Sequence, residues 1–116
     1  MEAVLVADDA GTPVGFVACK TIDEEAYLAE LDVIPAYARR GIGSLLALAV
    51  ADWAKSQGFS YLTLTTYADL PFNAPFYARL GFEIFAPVTG STLAAILEKQ
   101  ATRLGDGRVA MRLRLA

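Results

Sequence analysis

The stretch "DVIPAYARRGIGSLLALAVADWA", residues 32–54, changes period in its middle. Up to Pro35 it continues a strand-like run that begins at Ala26. From Gly41 the apolar residues Ile42, Leu45, Leu46, Ala49, Val50 and Trp53 recur at the helical spacing of i, i+3, i+4, i+7, i+8 and i+11. Gly58 closes this helix as a C-cap residue. A strand, a short loop rich in arginine and glycine, and a long apolar helix therefore follow one another, and the rest of the chain is read outward from that unit.

Upstream, "EAVLVAD" (2–8) and "PVGFVACK" (13–20) are strand-like runs joined by the turn "DAGT", a β-hairpin. "TIDEE" is a polar connection to the third strand, 26–34. In that strand, alternation puts Tyr27, Ala29, Leu31 and Val33 on one face and Leu28, Glu30, Asp32 and Ile34 on the other. Downstream, "SYLTLTTY" (60–67) is rich in β-branched and aromatic residues and reads as a strand. "LPFNAPFYARLG" carries two prolines and a short helix closed by Gly81, and "FEIFA" (82–86) is a further strand. "STLAAILEKQATRLG" is a helix with Ser91 as N-cap and Leu93, Ile96, Leu97 and Leu104 on one side. "RVAMRLRLA" (108–116) alternates as a closing strand. The order β-β-β-α-β-α-β-α-β predicts an α/β (α+β) fold, a mixed, mostly antiparallel sheet flanked by helices, in one domain over 1–116.

Composition narrows the chemistry. Hydrophobic residues make up 55% and charged residues 20%, enough apolar material for a core. A net charge of −3 speaks against a nucleic-acid surface, which needs a dense cationic face. No apolar run is long enough to span a bilayer, and no signal peptide is legible, so neither nucleic acid nor membrane is an expected partner. One cysteine, Cys19, excludes an intrachain disulfide framework and fits the cytoplasm; on a strand it reads as a small buried residue. With no histidine, Ser-His and Cys-His pairs are excluded, and no metal site is expected.

The mouth of the long helix is the candidate site. A helix start presents unpaired N–H groups and a partial positive charge, which favour an anion. Gly41 and Gly43 clear side chains from those groups, while Arg39 and Arg40 add fork-shaped donors suited to phosphate. Taken alone, such a loop is equally a packing turn with solvated arginines. A third glycine for the dinucleotide fingerprint would fall on Leu46, and the Walker Gly-Lys-Ser/Thr is missing.

The surrounding pattern is more specific. "LDVIPAYARRGIGSLL" resembles the cofactor motif of the GNAT superfamily of acyl-CoA-dependent N-acetyltransferases, and "FYARLGF" (76–82) resembles its second signature, with a strand between them. The resemblance covers nearly the whole chain from about residue 2, although the family usually begins with a strand and two helices, and this chain starts at the hairpin. It implies acetyl transfer from acetyl-CoA to a primary amine of a small molecule or protein. The alternative is a non-catalytic acyl-CoA-binding or dimerising module.

The resemblance also implies roles. Acetyl-CoA would lie where the strand ending at Val33 and the strand 60–67 splay apart. Backbone groups of Leu31, Asp32 and Val33 would meet the acetyl carbonyl and pantetheine arm. Amides of Arg39, Arg40, Gly41, Ile42, Gly43 and Ser44 would take the pyrophosphate, and Asn73 joins the cofactor-binding set. "DLPFNAPFY" would close over the pantetheine. Tyr77 matches the tyrosine that serves as proton donor to the leaving thiolate. Glu30 is the candidate base, with Asp32, Glu24 and Glu25 as alternatives; alternation sets Glu30 and Asp32 opposite Tyr27 and Ala29, so they face one site together only if a bulge intervenes. The chain departs from the family pattern at Ala38, Leu70, Thr65 and Tyr27, where Gln or Arg, Asn, Glu and Glu respectively occur in members. A short chain with a free sheet edge also suggests a homodimer, paired through strand 108–116 or the hairpin edge.

Overall fold

The computed structural model describes residues 2–105 and 107–115. The N-terminal hairpin turns on Ala10 and Gly11, both at positive φ (50° and 94°), and Asp8 Oδ2 accepts the Gly11 N–H at 2.7 Å. The turn joins β1 (Ala3–Asp9) to β2 (Thr12–Ile22), and β3 (Glu25–Val33) pairs antiparallel on the other side of β2. After a 3-10 turn at Pro35–Tyr37 come α1 (Ile42–Ser56), β4 (Tyr61–Tyr67), α2 (Ala74–Arg79), β5 (Glu83–Phe85), α3 (Thr92–Leu104) and β6 (Arg108–Arg114). All nine predicted elements are present in order. The end of the last predicted strand, Ala116, lies outside the described residues.

Both apolar helix ends are closed by a glycine. Gly58 and Gly81 have φ of 89° and 104°. In each case the next residue bonds back to the last turn: Phe59 N–H to Ala54 O and Phe82 N–H to Tyr77 O, both at 3.1 Å. This is the Schellman arrangement, with its usual apolar clasp. Trp53 meets Phe59 at 6.3 Å between ring centroids, and Tyr77 meets Phe82 at 5.4 Å.

The six strands form one sheet in the order β1-β2-β3-β4-β6-β5. Every neighbouring pair is antiparallel except β3–β4, which is parallel and consists of only two residue pairs, Ala26–Leu62 and Tyr27–Thr63. Past Tyr27 the two strands are no longer paired. α1 and α2 cover one face through Leu46, Val50 and Tyr77, packed on Val17, Leu28, Leu62, Leu64 and Met111. α3 covers part of the other face, where Leu93 packs with Ile22, Tyr27 and Ala110. No helix among the described residues is long and apolar enough to cross a membrane.

Four readings of the sequence are corrected. First, β3 does not alternate regularly. Cys19 pairs with Leu28 and Ala18 with Glu30, so Ala29 is an extra residue. The bulge turns Leu31 and Val33 to the α1 face with Leu28, and Glu30 and Asp32 to the Tyr27 face. Second, α1 is rotated from its expected stripe. Leu46, Ala47, Val50, Ala51 and Ala54 are buried, whereas Leu45 is 68% exposed. Small alanines let the helix lie close to the sheet, and the larger Leu45 is left at its side. Third, Leu104 is exposed rather than packed with Leu93. Fourth, β6 is not an outer strand: it lies between β4 and β5, which pairs with its residues 110–112, and the outer strands of the described sheet are β1 and β5.

Candidate active site

The left-handed backbone of Arg39 and Gly41, with φ of 63° and 80°, turns the chain out of the 3-10 segment and into α1. Gly41 is the N-cap, no side chain caps this end, and no acidic residue stands in the first turn. Leu45 N–H makes the bond to Gly41 O, which leaves the N–H groups of Ile42, Gly43 and Ser44 without helical partners. The helix field is thus uncompensated by protein groups at the point where it opens outward.

That mouth faces a cleft of about 600 Å³ lined by Leu31 and Val33 from β3, Arg39, Gly41, Ile42, Gly43 and Ser44 from the loop and α1, and Phe72, Phe76, Arg79 and Leu80 around α2. Tyr37 and Ala38 complete it. A Cβ on Gly43 would stand 3.6 Å from Phe76 Cζ, so a larger side chain there would extend into the cleft between helix and phenyl ring. Arg39 lies over the Phe72 ring, 5.9 Å from its centroid. The cleft therefore pairs a cationic, N–H-rich end with an apolar wall, and it reaches the edge of β3 that is unpaired beyond Tyr27.

Of the expected cofactor residues, Leu31, Val33, Arg39, Gly41, Ile42, Gly43 and Ser44 line this cleft. Three do not. Arg40 instead lies over the Tyr37 ring at 4.6 Å and borders a separate hollow beside β1. Asp32 is carried to the opposite face by the bulge, where it borders a shallow depression with Val4, Val6 and Phe16. Asn73 is the N-cap of α2 and contributes its carbonyl to Tyr77 N–H at 3.0 Å; its side chain makes no capping bond. Sequence reasoning placed Phe72 and Phe76 only as part of a segment closing over the pantetheine, and it passed over Tyr37, Arg79 and Leu80. The aromatic segment "LPFNAPFY" held the signal for the two phenylalanines, and Arg79 could have been found as the one cation on the helix of the second signature.

The two expected catalytic residues also lie outside the cleft lining. Tyr77 follows cleft-lining Phe76 on α2, but it is only 8% exposed and is held edge-on by Phe76 and Phe82 at 5.0 and 5.4 Å. Burial pushes its phenol up to about 12, so the hydroxyl keeps its proton at neutral pH. Glu30 is exposed, on the Tyr27 face. Two positions that depart from the family pattern meet here: Tyr27 Oη and Thr65 Oγ1 lie 3.3 Å apart, and Arg108 Nη2 donates to Thr65 O at 3.2 Å. The "TIDEE" turn is tied elsewhere: both Asp23 oxygens accept N–H groups at the start of α3, from Thr92 at 3.0 Å and Leu93 at 2.9 Å. Those bonds hold the Asp23 carboxyl below its usual range. Cys19 is buried and its thiol is pushed up by burial. No group of three or more Cys, Asp and Glu residues arranged to hold a metal occurs among the described residues.

Comparison with known proteins gives the same fold and family. The acetyltransferase (GNAT) family matches residues 2–82. An uncharacterised N-acetyltransferase of Methanocaldococcus jannaschii is 35% identical over 89 residues, 71% of this chain and 39% of that protein. The PaiA N-acetyltransferase of Thermoplasma acidophilum, solved in complex with coenzyme A, superposes with a TM-score of 0.71 at 22% identity over 97% of this chain and 60% of its own. The ribosomal-protein-S18-alanine N-acetyltransferase of Escherichia coli gives 0.76 at 21% identity, over 99% of this chain and 70% of its own. This chain thus spans less than two thirds of the first two proteins. With most of its length matched, including both the helix mouth and α2, the chain belongs to the GNAT acetyltransferase family.

Proposed function

We propose that this protein transfers the acetyl group of acetyl-CoA to a primary amine of a small molecule or protein, by direct attack of the amine on the thioester. The observation that carries this reading is one continuous cleft from the glycine-opened mouth of α1 to the unpaired edge of β3. Unpartnered N–H groups with Arg39 and Arg79 suit a pyrophosphate. Phe72, Phe76 and Leu80 suit the alkyl part of a pantetheine arm, and the open strand edge suits its amides. The coenzyme A bound to the PaiA relative supports the same ligand class.

Each residue then has a stated task. A backbone N–H of residues 31–33 donates to the thioester oxygen, an interaction that strengthens as charge collects there. As the carbon–nitrogen bond forms and the carbon–sulfur bond breaks, Tyr77 donates a hydrogen bond to the sulfur. A phenol near 12 does not hand its proton outright to a thiolate whose thiol titrates near 8.5, so its part is stabilisation rather than full transfer. Glu30, on the face away from α1, takes the proton that the ammonium sheds before attack; the second proton, shed by the nitrogen once the carbon–nitrogen bond has formed, goes to the departing thiolate and leaves it as the free thiol.

The test is a thermal shift with acetyl-CoA, followed by release of free thiol with a panel of amines. At about 100 times the dissociation constant, binding adds about 2.7 kcal/mol, a shift on the order of 10 °C for a domain of this size. Gly43→Trp abolishes the shift while the protein stays folded. Tyr77→Phe keeps the shift and lowers turnover. A wild type that shows no shift at millimolar acetyl-CoA refutes the reading. A second reading, an acyl-CoA-binding module without turnover, draws on the positions of Tyr77 and Glu30 outside the cleft; it predicts the full shift with no thiol released by any amine.

A further inference from the structure

The loop that opens the mouth of α1 has little of its own to hold its shape. Its backbone leaves the 3-10 turn at Ala38, passes through left-handed φ at Arg39 and Gly41, and enters α1 without a side-chain cap. A left-handed path is unfavourable for a residue with a Cβ, such as Arg39, and persists only where the surroundings impose it. The N–H groups of Ile42, Gly43 and Ser44 meet a pyrophosphate together only while that path is kept. A loop that became ordered only on binding would lose part of the binding energy to its own ordering.

A hold is supplied from the turn end of the N-terminal hairpin. Tyr37 Oη donates to Asp9 Oδ2 at 2.6 Å, across 28 positions of sequence. Asp8 is occupied within the turn, where it accepts the Gly11 N–H, and the register shift between Ala7 and Asp8 re-aims the strand end that carries Asp9. The bond to Asp9 raises the Tyr37 phenol above its ordinary value, so the hydroxyl keeps the proton it donates. Arg40 lies over the same ring, 4.6 Å from its centroid. Ile34 N–H, at the start of the 3-10 turn, bonds to Val14 O of β2 at 2.9 Å. Arg40, turned away from the cleft, and Asp9, remote from it in sequence, therefore hold one ring between them, and that ring is part of the cleft wall.

We propose, resting on the acetyl-CoA reading of the cleft, that Asp9, Tyr37 and Arg40 form a brace that sets the pyrophosphate loop in its binding shape, with Asp9 a positioning residue that acts through Tyr37. Charge and geometry pull in opposite directions at Asp9. A carboxylate near an anion site weakens anion binding by charge alone, so its removal would tighten acetyl-CoA if charge were its whole effect. As part of a brace it does the reverse: without the bond, Tyr37 and the loop behind it leave the binding path and affinity falls. Asp9→Asn separates the two effects, because the amide oxygen still accepts from Tyr37 while the charge is gone.

Calorimetric titration of the full chain with acetyl-CoA tests this. Asp9→Ala is expected to bind about fivefold more weakly, the loss of one hydrogen bond to a charged group. Asp9 is exposed, so the ligand-free variant keeps the circular dichroism and nearly the melting temperature of the wild type. Asp9→Asn binds at least as tightly as the wild type. In a Tyr37→Phe background, which keeps the ring but lacks the hydroxyl, Asp9→Ala brings no further loss. An Asp9→Ala protein that binds as tightly as the wild type, or more tightly, overturns the brace. So does an equal loss in Asp9→Asn, or a further loss in the Tyr37→Phe background. Each of these leaves the ligand of the cleft unchanged, whereas a wild type that takes up no acetyl-CoA overturns the reading of the cleft and the brace with it.

Discussion

Burial decides what Tyr77 can contribute. Its folded pKa, about 12, lies above the usual value of 10 because the neutral phenol is favoured among Phe76, Phe82 and the sheet. The sign follows from linkage: the folded state holds the proton more tightly than the unfolded state, so the stabilisation is complete below pH 10 and is lost as pH rises to 12. The two-unit difference is worth about 3 kcal/mol. Tyr77→Phe removes a titrating group while keeping the ring contacts. Its stability should match the wild type at pH 8 and fall less between pH 10 and 12, as measured by urea unfolding at each pH. Gly41 is the opposite case, a residue defined by backbone alone. A Cβ there meets nothing within 4 Å, yet φ of 80° makes Gly41→Ala strained by roughly 1 kcal/mol.

At the scale of elements, α3 owes its start to two residues far apart in sequence. Ser91 Oγ accepts Ala94 N–H at 3.1 Å, as its N-cap position led one to expect, and Asp23 from the β2–β3 turn takes two more N–H groups. Asp23→Ala should cost about 1 kcal/mol, a few degrees in melting temperature. The Asp23 pKa is lowered in the fold, so its contribution is present above pH 4 and fades as pH falls below it; the two proteins' melting temperatures should converge in acid. This bond also shows where sequence reading stops. Ser91 and the glycine caps are local signals and were legible, as was the order of elements, because the apolar period changes sharply at Gly41. The contact between Asp23 and α3 depends on folding of the whole sheet. So does the bulge at Ala29, which is fixed by how β2 registers against β3 and which alone decides that Asp32 leaves the cleft while Leu31 and Val33 line it. The cofactor loop was readable because glycines and arginines announce backbone needs and charge. The far wall was readable only as the aromatic segment 69–77, because which of its side chains face the cleft, and that Leu80 joins them, depends on how α2 is placed.

For the molecule as a whole, the thin seam between β3 and β4 matters most. Two residue pairs join the half-sheet β1-β2-β3 to the half-sheet β4-β6-β5, and beyond Tyr27 the strand edges stand open. Core side chains bridge the seam on both faces: under α1 one cluster takes in residues of both halves, and under α3 Leu93 packs with Ile22 and Tyr27 of one half and Ala110 of the other. Open strand edges exchange their amide hydrogens readily because nothing within the protein accepts them. If the proposed acetyl-CoA site is correct, a ligand arm lying in the seam acts as a partial extra strand between the halves. It then protects segments that are distant in sequence together: residues 29–33 of β3, residues 39–44 at the helix mouth, and the Phe72–Leu80 wall. Hydrogen exchange followed by mass spectrometry, with and without saturating acetyl-CoA, reads all three at once. The expected outcome is slower exchange by tenfold or more in 29–33 and 39–44, with β1 and α3 unchanged. Protection confined to 39–44 would mean that the helix mouth binds the pyrophosphate while the arm takes another path, and the assignment of the β3 edge to the acetyl group would have to be abandoned.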